Sequence, residues 1–483
     1  MRSSRQSPSF TQASPLLARL AAASRPELEA LQLAKVQRLV ERLWNTNAFY
    51  RRKWEAHGVS PAQIRTLDDF RQRIPMCTKQ EFIEDQGRTP PFGTRLGLPE
   101  ESAALVNLTG GTSGQGQEFY GRSQKDVVTQ GYMHYLPWFM AGMRRGHNVL
   151  NCVPAGGMST GGWGPAEGIR LAGATGFHVG GTLSTDAKIG LMLRLGDVHF
   201  IYASTNYMHT LTQGLLARGI PPSERFPMMQ AVFIAAEGYP VEWAAELQVQ
   251  WGCPVHEGYG STQGAGFIAS TCEHGVVRSD RDRGLMHLFE WAHLVEVIDP
   301  DTGKPAMPGE EGEIVLTNLD IEASPVVRFS TRDRVRWFPA AACGCGRPWD
   351  VIEAGSIGRY DDMLKVRGNN IWPVTMDQVV FAHVEVADYK GRVFVDDQGR
   401  TEVEICMAFK PGVSEGAARA ALVARLREKL KERTNLWIQI REIPAAELPE
   451  FSYKARRWTD ERRSGYGKQA APSAAPTTGG AVP

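Results

Sequence analysis

Hydroxyls and glycines crowd two short stretches of this 483-residue chain. The first reads Thr109-Gly110-Gly111-Thr112-Ser113-Gly114-Gln115-Gly116. Glycines let backbone N–H groups close on a phosphate and hydroxyls add donors, which favours an anion loop over a plain linker. The run lacks the Gly-Lys-Ser/Thr of a Walker A loop. The second stretch, residues 256–264, reads His-Glu-Gly-Tyr-Gly-Ser-Thr-Gln-Gly. There Tyr259 could stack on a base, and Ser261 or Thr262 could meet a phosphate, although Gly-Tyr-Gly is also ordinary turn chemistry. Arg328-Phe-Ser-Thr-Arg-Asp333 ends an apolar run. An Asp just past a strand can accept both hydroxyls of a ribose, and an Arg–Asp surface pair is the plainer alternative.

Residues 358–373 interleave Arg359, Asp361, Asp362, Lys365 and Arg367 with Met363, Leu364, Val366 and Ile371. Such a mixture suits a hinge or a cleft wall, with charges toward a ligand and apolar side chains as anchors. An amphipathic strand with solvated charges would also read this way. Cys343-Gly-Cys345 has the spacing of a zinc knuckle, which Cys272 and a downstream His would complete to four ligands. Reduced thiols in a turn are the alternative.

The surrounding elements must position these groups. The chain is 42% hydrophobic and 22% charged, enough apolar residue for two or more cores, and its net charge of +1 gives no reason to expect nucleic acid or an anionic membrane. No apolar run approaches the ~20 residues that span a bilayer. Seven sparse cysteines make no disulfide framework and fit a reducing cytoplasm. Ser24, Pro26 and Glu27 mark a helix start, and Leu28, Leu31, Val36, Leu39, Val40 and Leu43 continue at helical spacing. Apolar runs at 149–153, 199–203 and 231–235 alternate with helical stretches, as in a mixed or parallel α/β sheet. Residues 288–355 read as a β-rich subdomain. Strands near 392–395, 402–409 and 436–443 with a helix over 414–432 read as a small α+β unit. The expected organisation is a disordered start (1–23), a large α/β domain of mixed sheets and helices (24–360), a small mobile α+β lid (361–463) and a disordered tail (464–483).

The combination of motifs resembles the adenylate-forming superfamily of acyl- and aryl-CoA ligases, and within it the phenylacetate–CoA ligase family. Asn47-Ala-Phe-Tyr-Arg-Arg-Lys53 and Ile74-Pro-Met-Cys-Thr-Lys-Gln-Glu81 are similar to that family's opening, and residues 361–373 to its hinge signature. The resemblance covers about residues 40–463. It implies that Thr109, Gly110, Gly111, Thr112, Ser113 and Gly114 hold the ATP phosphates. Ala236 and Glu237 would line the adenine, Tyr259 and Gly260 would cover it, and Ser261, Thr262 and Gln263 would lie at the α-phosphate. Asp333 would bind the ribose with Arg359 nearby, and Asp361 would be the pivot. Lys454 would offset the charge built up during acyl-AMP formation, and Lys365 would serve the second conformation. Zinc is implied at Cys272, His287, Cys343 and Cys345, where His287 fits the family position better than His274.

Two positions depart from the family pattern. Gln115 replaces a Lys, which removes one charged phosphate contact. Gln263 replaces the Glu that helps hold Mg²⁺, and a neutral amide is a poorer ligand for a hard cation. The implied activity is ATP-dependent acid–CoA ligation in two steps, on an acid that the resemblance makes aromatic. The implied cofactors and partners are ATP, Mg²⁺, coenzyme A, structural Zn²⁺ and a small carboxylic acid, and a homodimer is the assembly considered for this cytoplasmic protein. Residues 158–164, with Trp163, and 204–207 are candidate pocket walls, because an aryl acid needs a mostly apolar slot. Transfer to an amine, alcohol or carrier protein is the alternative outcome, and a catalytically impaired nucleotide-binding relative is another.

Overall fold

The computed structural model describes residues 15–109, 116–235, 238–279, 282–367, 369–383, 385–396, 398–410, 412–413, 416–448 and 457–462. Two compact units divide the chain between Asp362 and Met363, two residues past the expected boundary.

The large unit opens with a correction. Residues Pro15–Ala22 form a helix within the stretch expected to be disordered. Its Leu20 and Ala21 pack on a core assembled from later elements, a contact no local pattern reveals. The helix Arg25–Thr46 then begins as the sequence implies: the Ser24 side chain accepts from Glu27 N, and Glu27 reaches back to the Ser24 N–H. Such a capping box satisfies two otherwise orphaned donors. The helix buries Leu28, Val36, Leu39, Val40 and Leu43 along one stripe.

A small hairpin joins β1 (Leu105–Leu108) to β2 (Phe119–Arg122). Among the described residues the central sheet has twelve strands. β3 (Asn148–Pro154), β4 (Thr175–Gly180), β5 (Phe200–Ser204), β6 (Ala231–Ala235) and β7 (Val255–Ser261) run parallel in the order β4-β3-β5-β6-β7. Alternation along them feeds two cores. Leu150, Ile201, Ala203, Val232 and Ile234 enter one, whereas Val149, Phe200, Tyr202, Ala231 and Phe233 enter the other. With both faces covered, β5 and β6 are buried at every residue and read as unbroken apolar runs.

The strand-rich stretch is continuous with this sheet rather than a separate layer. β8 (Gly266–Thr271) turns back antiparallel on β7, and β9 (Leu285–Leu288) follows on β8. β13 (Val351–Glu353), β12 (Phe329–Phe338), β11 (Glu311–Asn318) and β10 (His293–Ile298) complete the row, and β14 (Gly358–Arg359) pairs with β12. That register sets Asp333 opposite Arg359.

The small unit is α+β. A hairpin of β15 (Leu364–Val366) and β16 (Asn369–Ile371) precedes a sheet with four strands among the described residues. Its order is β19 (Gln439–Glu442), β18 (Thr401–Phe409), β17 (Val386–Val395), β20 (Trp458–Asp460). Helices Pro373–Phe381 and Ala417–Thr434 accompany it, and Ile371, Met376, Val393, Ile405, Leu426 and Leu430 share its core. No described helix in either unit is long and apolar enough to cross a membrane.

Candidate active site and metal centre

The end of β7, the middle of β12 and the β1–β2 hairpin gather most of the described candidate residues. Tyr259 and Asp333 meet directly: the Tyr259 hydroxyl donates to Asp333 Oδ2 at 2.6 Å. Arg359 Nε lies 3.3 Å from Asp333 Oδ1. Burial beside that carboxylate holds the Tyr259 phenol well above its ordinary range, so it stays a donor. The ring expected to cover adenine is thereby tied at its far end to the group expected to hold ribose. Gly260 follows because nothing larger fits: a Cβ there would lie 2.3 Å from the Gly266 carbonyl oxygen across the β7–β8 turn.

The turn after β7 is pinned from several sides. Ser261 Oγ accepts from Gly264 N at 3.0 Å. Arg122, fully buried in β2, donates to the Thr262 carbonyl at 2.6 Å. Burial lowers the Arg122 pKa only to about 10, so the guanidinium keeps its charge at neutral pH. Thr109, the first hydroxyl of the glycine-rich loop, accepts from Glu118 N at 2.9 Å. Glu118 is buried, and its Oε2 accepts from Gln263 Nε2 at 2.8 Å. Thr109 and the turn after β7 are therefore joined through one residue, Glu118, by its backbone N–H on one side and its carboxylate on the other.

Other expected residues are placed elsewhere or not described. Gly110, Gly111, Thr112, Ser113, Gly114, Ala236, Glu237 and Lys454 lie outside the described residues. Asp361 sits in the short 3-10 turn Tyr360–Asp362, at the end of the large unit. Lys365 lies in β15 of the small unit and is exposed; its carbonyl accepts from Arg462 at 2.8 Å. Of the pocket-wall candidates, Met158 and Trp163 are exposed, and Trp163 Nε1 donates to the Gly157 carbonyl. Ser204 caps the helix Thr205–Leu216 through Tyr207 N.

Four ligand atoms converge behind β8 and β9. One each from Cys272, His287, Cys343 and Cys345 lie within 4.8 Å of one another. Cys272 Sγ is 3.6 Å from Cys343 Sγ, and Cys345 Sγ is 3.2 Å from His287 Nε2. A tetrahedral zinc ion with thiolate and imidazole bonds would set its ligands roughly 3.5–3.8 Å apart. A disulfide would need about 2 Å. His287 Nδ1 faces the Trp349 carbonyl at 3.2 Å, which assigns its proton to Nδ1 and turns the Nε2 lone pair to the cluster. His274 lies beside the group, its Nδ1 3.6 Å from Cys343 Sγ, and is not one of the four. The knuckle bends at Gly344 and Gly346, both at positive φ (75° and 82°), and Arg278 donates to the carbonyls of Ala342 and Cys343. The donor set therefore fits one structural zinc ion with no open position.

The sequence pattern of the AMP-binding enzyme family matches residues 63–319. The chain is 30% identical over 457 residues to the phenylacetate-coenzyme A ligase of Thermus thermophilus, spanning 91% of this chain and 98% of that one. The chain belongs to the AMP-binding enzyme family. The phenylacetate-coenzyme A ligase of Escherichia coli K12 is 25% identical over 91% of this chain and 96% of its own length. With such relatives along nearly its whole length, the chain is an AMP-forming acid–CoA ligase of the phenylacetate–CoA ligase group within this family. The family fold is shared more widely. A 2-hydroxyisobutyryl-CoA ligase in complex with 2-HIB-AMP superposes at a TM-score of 0.82, with 20% identity and 92% of each chain covered.

Within this family framework, sequence reasoning missed Glu118, Arg122 and Glu257. Each is a charged residue buried by partners distant in the chain. Glu257, in β7, accepts from Tyr239 Oη at 2.6 Å and from Gly355 N at 2.8 Å. Burial pushes its pKa up to about 7, against those two hydrogen bonds. A raised carboxyl pKa means that the folded state holds the proton more tightly than the unfolded chain. Its stabilising contribution is full below about pH 4.5 and is lost as pH rises through about 7. In Glu257→Gln this titration disappears. Between pH 4.5 and 7.5, the wild-type unfolding free energy should fall by roughly 2–4 kcal/mol more than that of the variant. Equal slopes in denaturant titrations across this range would show that Glu257 does not titrate as described.

Proposed function

We propose that this ligase activates an aromatic carboxylic acid and hands it to coenzyme A. The observation that carries the nucleotide half is the Tyr259–Asp333–Arg359 arrangement, a buried carboxylate in the middle of β12 oriented by a phenol and a guanidinium. In this reading Asp333 accepts both ribose hydroxyls and Tyr259 packs against adenine. Thr109 and Thr262 border the phosphates, together with the loop residues 110–114. The acid's carboxylate attacks the α-phosphate, forming the acyl–phosphate bond and releasing pyrophosphate. Negative charge grows between the two groups, and Lys454 offsets it. The small unit then rotates about Asp361, bringing Lys365 into play for thioester formation, and the CoA sulfur displaces AMP. One site serves two half-reactions, which is why a charged hinge belongs here.

Oxygen donors around the turn after β7, with Gln263 among them, suit the Mg²⁺ that accompanies ATP and neutralises its phosphates. Zinc at Cys272, His287, Cys343 and Cys345 would be structural, tying β8 and β9 to the loop that precedes β13. The seven free thiols support a cytoplasmic setting. The aromatic acid rests on the relatives' names and on the exposed apolar Met158 and Trp163. A panel of aryl and alkyl acids tests it, with ATP and CoA supplied and products identified by mass. Aryl thioesters and AMP should form in equal amounts. Preference for alkyl acids would overturn the substrate class, and acyl transfer only to an amine or carrier would overturn the acceptor.

A further inference from the structure

The pairing of Gln263 with Glu118 has a definite chemical polarity. A carboxylate only accepts, so the amide must present its NH₂ to Glu118 Oε2 across the 2.8 Å contact. Its carbonyl oxygen is the atom left over, and it accepts no hydrogen bond among the described residues. Glu118 cannot easily turn away. It is fully buried, its Oε1 accepts from Tyr120 Oη at 2.7 Å, and its own N–H donates to Thr109 Oγ1. Gln263 is the half-exposed member of the pair, next to Thr262 and facing the start of the glycine-rich loop through Glu118.

We propose that Glu118 is a positioning residue that fixes the Gln263 amide so that its carbonyl oxygen ligates the divalent cation accompanying ATP. This rests on the ATP-dependent reading given above. Hard cations take amide carbonyls as well as carboxylates. The buried charge one bond behind polarises the amide, so a neutral side chain presents a more negative oxygen than it would alone. Position 263 needs no acid of its own, because the acid stands at 118.

The inference reverses an obvious expectation. Gln263→Glu, which supplies a carboxylate at the cation, also sets two carboxylates in contact at a buried site and should weaken cation binding. Exchanging the pair, Glu118→Gln with Gln263→Glu, restores one donor and one acceptor. The test is Mn²⁺ affinity, read from the free-ion electron paramagnetic resonance signal, with α,β-methylene-ATP bound. Glu118→Gln, Gln263→Glu and Gln263→Leu should each weaken Mn²⁺ at least ~5-fold, because each loses the oriented carbonyl. The exchanged pair should return to within ~3-fold of wild type. Gln263→Leu changes a half-exposed side chain and keeps the test open if a Glu118 variant fails to fold. Wild-type or better Mn²⁺ affinity in Gln263→Glu, or an exchanged pair no better than either single variant, overturns the inference while leaving the ligase reading intact. Absence of acid-dependent ATP–pyrophosphate exchange in the wild type overturns both.

Discussion

Replacing Asp333 with Ala should lower kcat/KM for ATP by ~10²–10³, with the melting temperature changed far less than the activity. A carboxylate offers about four acceptor positions, and in the proposed site Asp333 accepts from both hydroxyls of the ribose. Hydrogen bonds to a charged acceptor contribute about 1.5–3 kcal/mol each, and two lost together reach this range. The variant also removes the acceptor to which the buried Tyr259 phenol donates at 2.6 Å, and the carboxylate 3.3 Å from Arg359 Nε. Tyr259→Phe removes one bond that orients Asp333 and keeps the ring. It should cost about 1 kcal/mol, or ~5-fold, chiefly in KM for ATP. Steady-state kinetics at varied ATP and saturating acid separate the two. An Asp333→Ala enzyme within 3-fold of wild type would remove Asp333 from the nucleotide site.

The second large effect concerns stability. Protein purified without added metal should carry about one zinc ion per chain. Cys345→Ser or treatment with a strong chelator should lower the melting temperature by roughly 5–10 °C. The reason lies in what the four residues join. Cys272 follows β8, His287 is in β9, and Cys343 and Cys345 come from the loop before β13. Without an ion, four polar ligands crowd a buried corner, and three of the four residues are buried. Cys77→Ser, at a buried thiol outside the cluster, should leave the zinc content unchanged. Metal near zero per chain, or a melting curve indifferent to the chelator, would reduce the cluster to ordinary thiols.

Much of this framework is legible in the sequence because it is local or periodic. The Ser24–Glu27 capping box, the apolar runs of β3, β5 and β6, and β17, β18, β19 and the helix Ala417–Thr434 of the small unit each announce themselves within a few residues, whereas β15, β16, β20 and the helix Pro373–Phe381 do not. The cluster of Cys272, His287, Cys343 and Cys345 is legible in part for a different reason: Cys343-Gly-Cys345 is a rare spacing with a narrow chemical meaning, whereas His287 is singled out only by the family resemblance. The polar contacts that organise the candidate site are not readable this way. Glu118 meets Gln263 across 145 positions, Arg122 meets Thr262 across 140, and Glu257 meets Tyr239 and Gly355 from separate elements. Nothing in the neighbouring residues marks these charges as buried, since only the packed sheet removes water from them. The glutamine at 263, by itself, reads as the loss of an acid. Its buried partner becomes visible only once β2 and the turn after β7 lie side by side.

Acid-dependent exchange of labelled pyrophosphate into ATP, measured without CoA on wild type and Lys454→Ala, tests the central claim most directly. It isolates adenylation from thioester formation. The account predicts exchange by the wild type that depends on an aryl acid, and exchange at least ~10²-fold slower in Lys454→Ala. No exchange with any acid, or equal exchange by the two proteins, would contradict it.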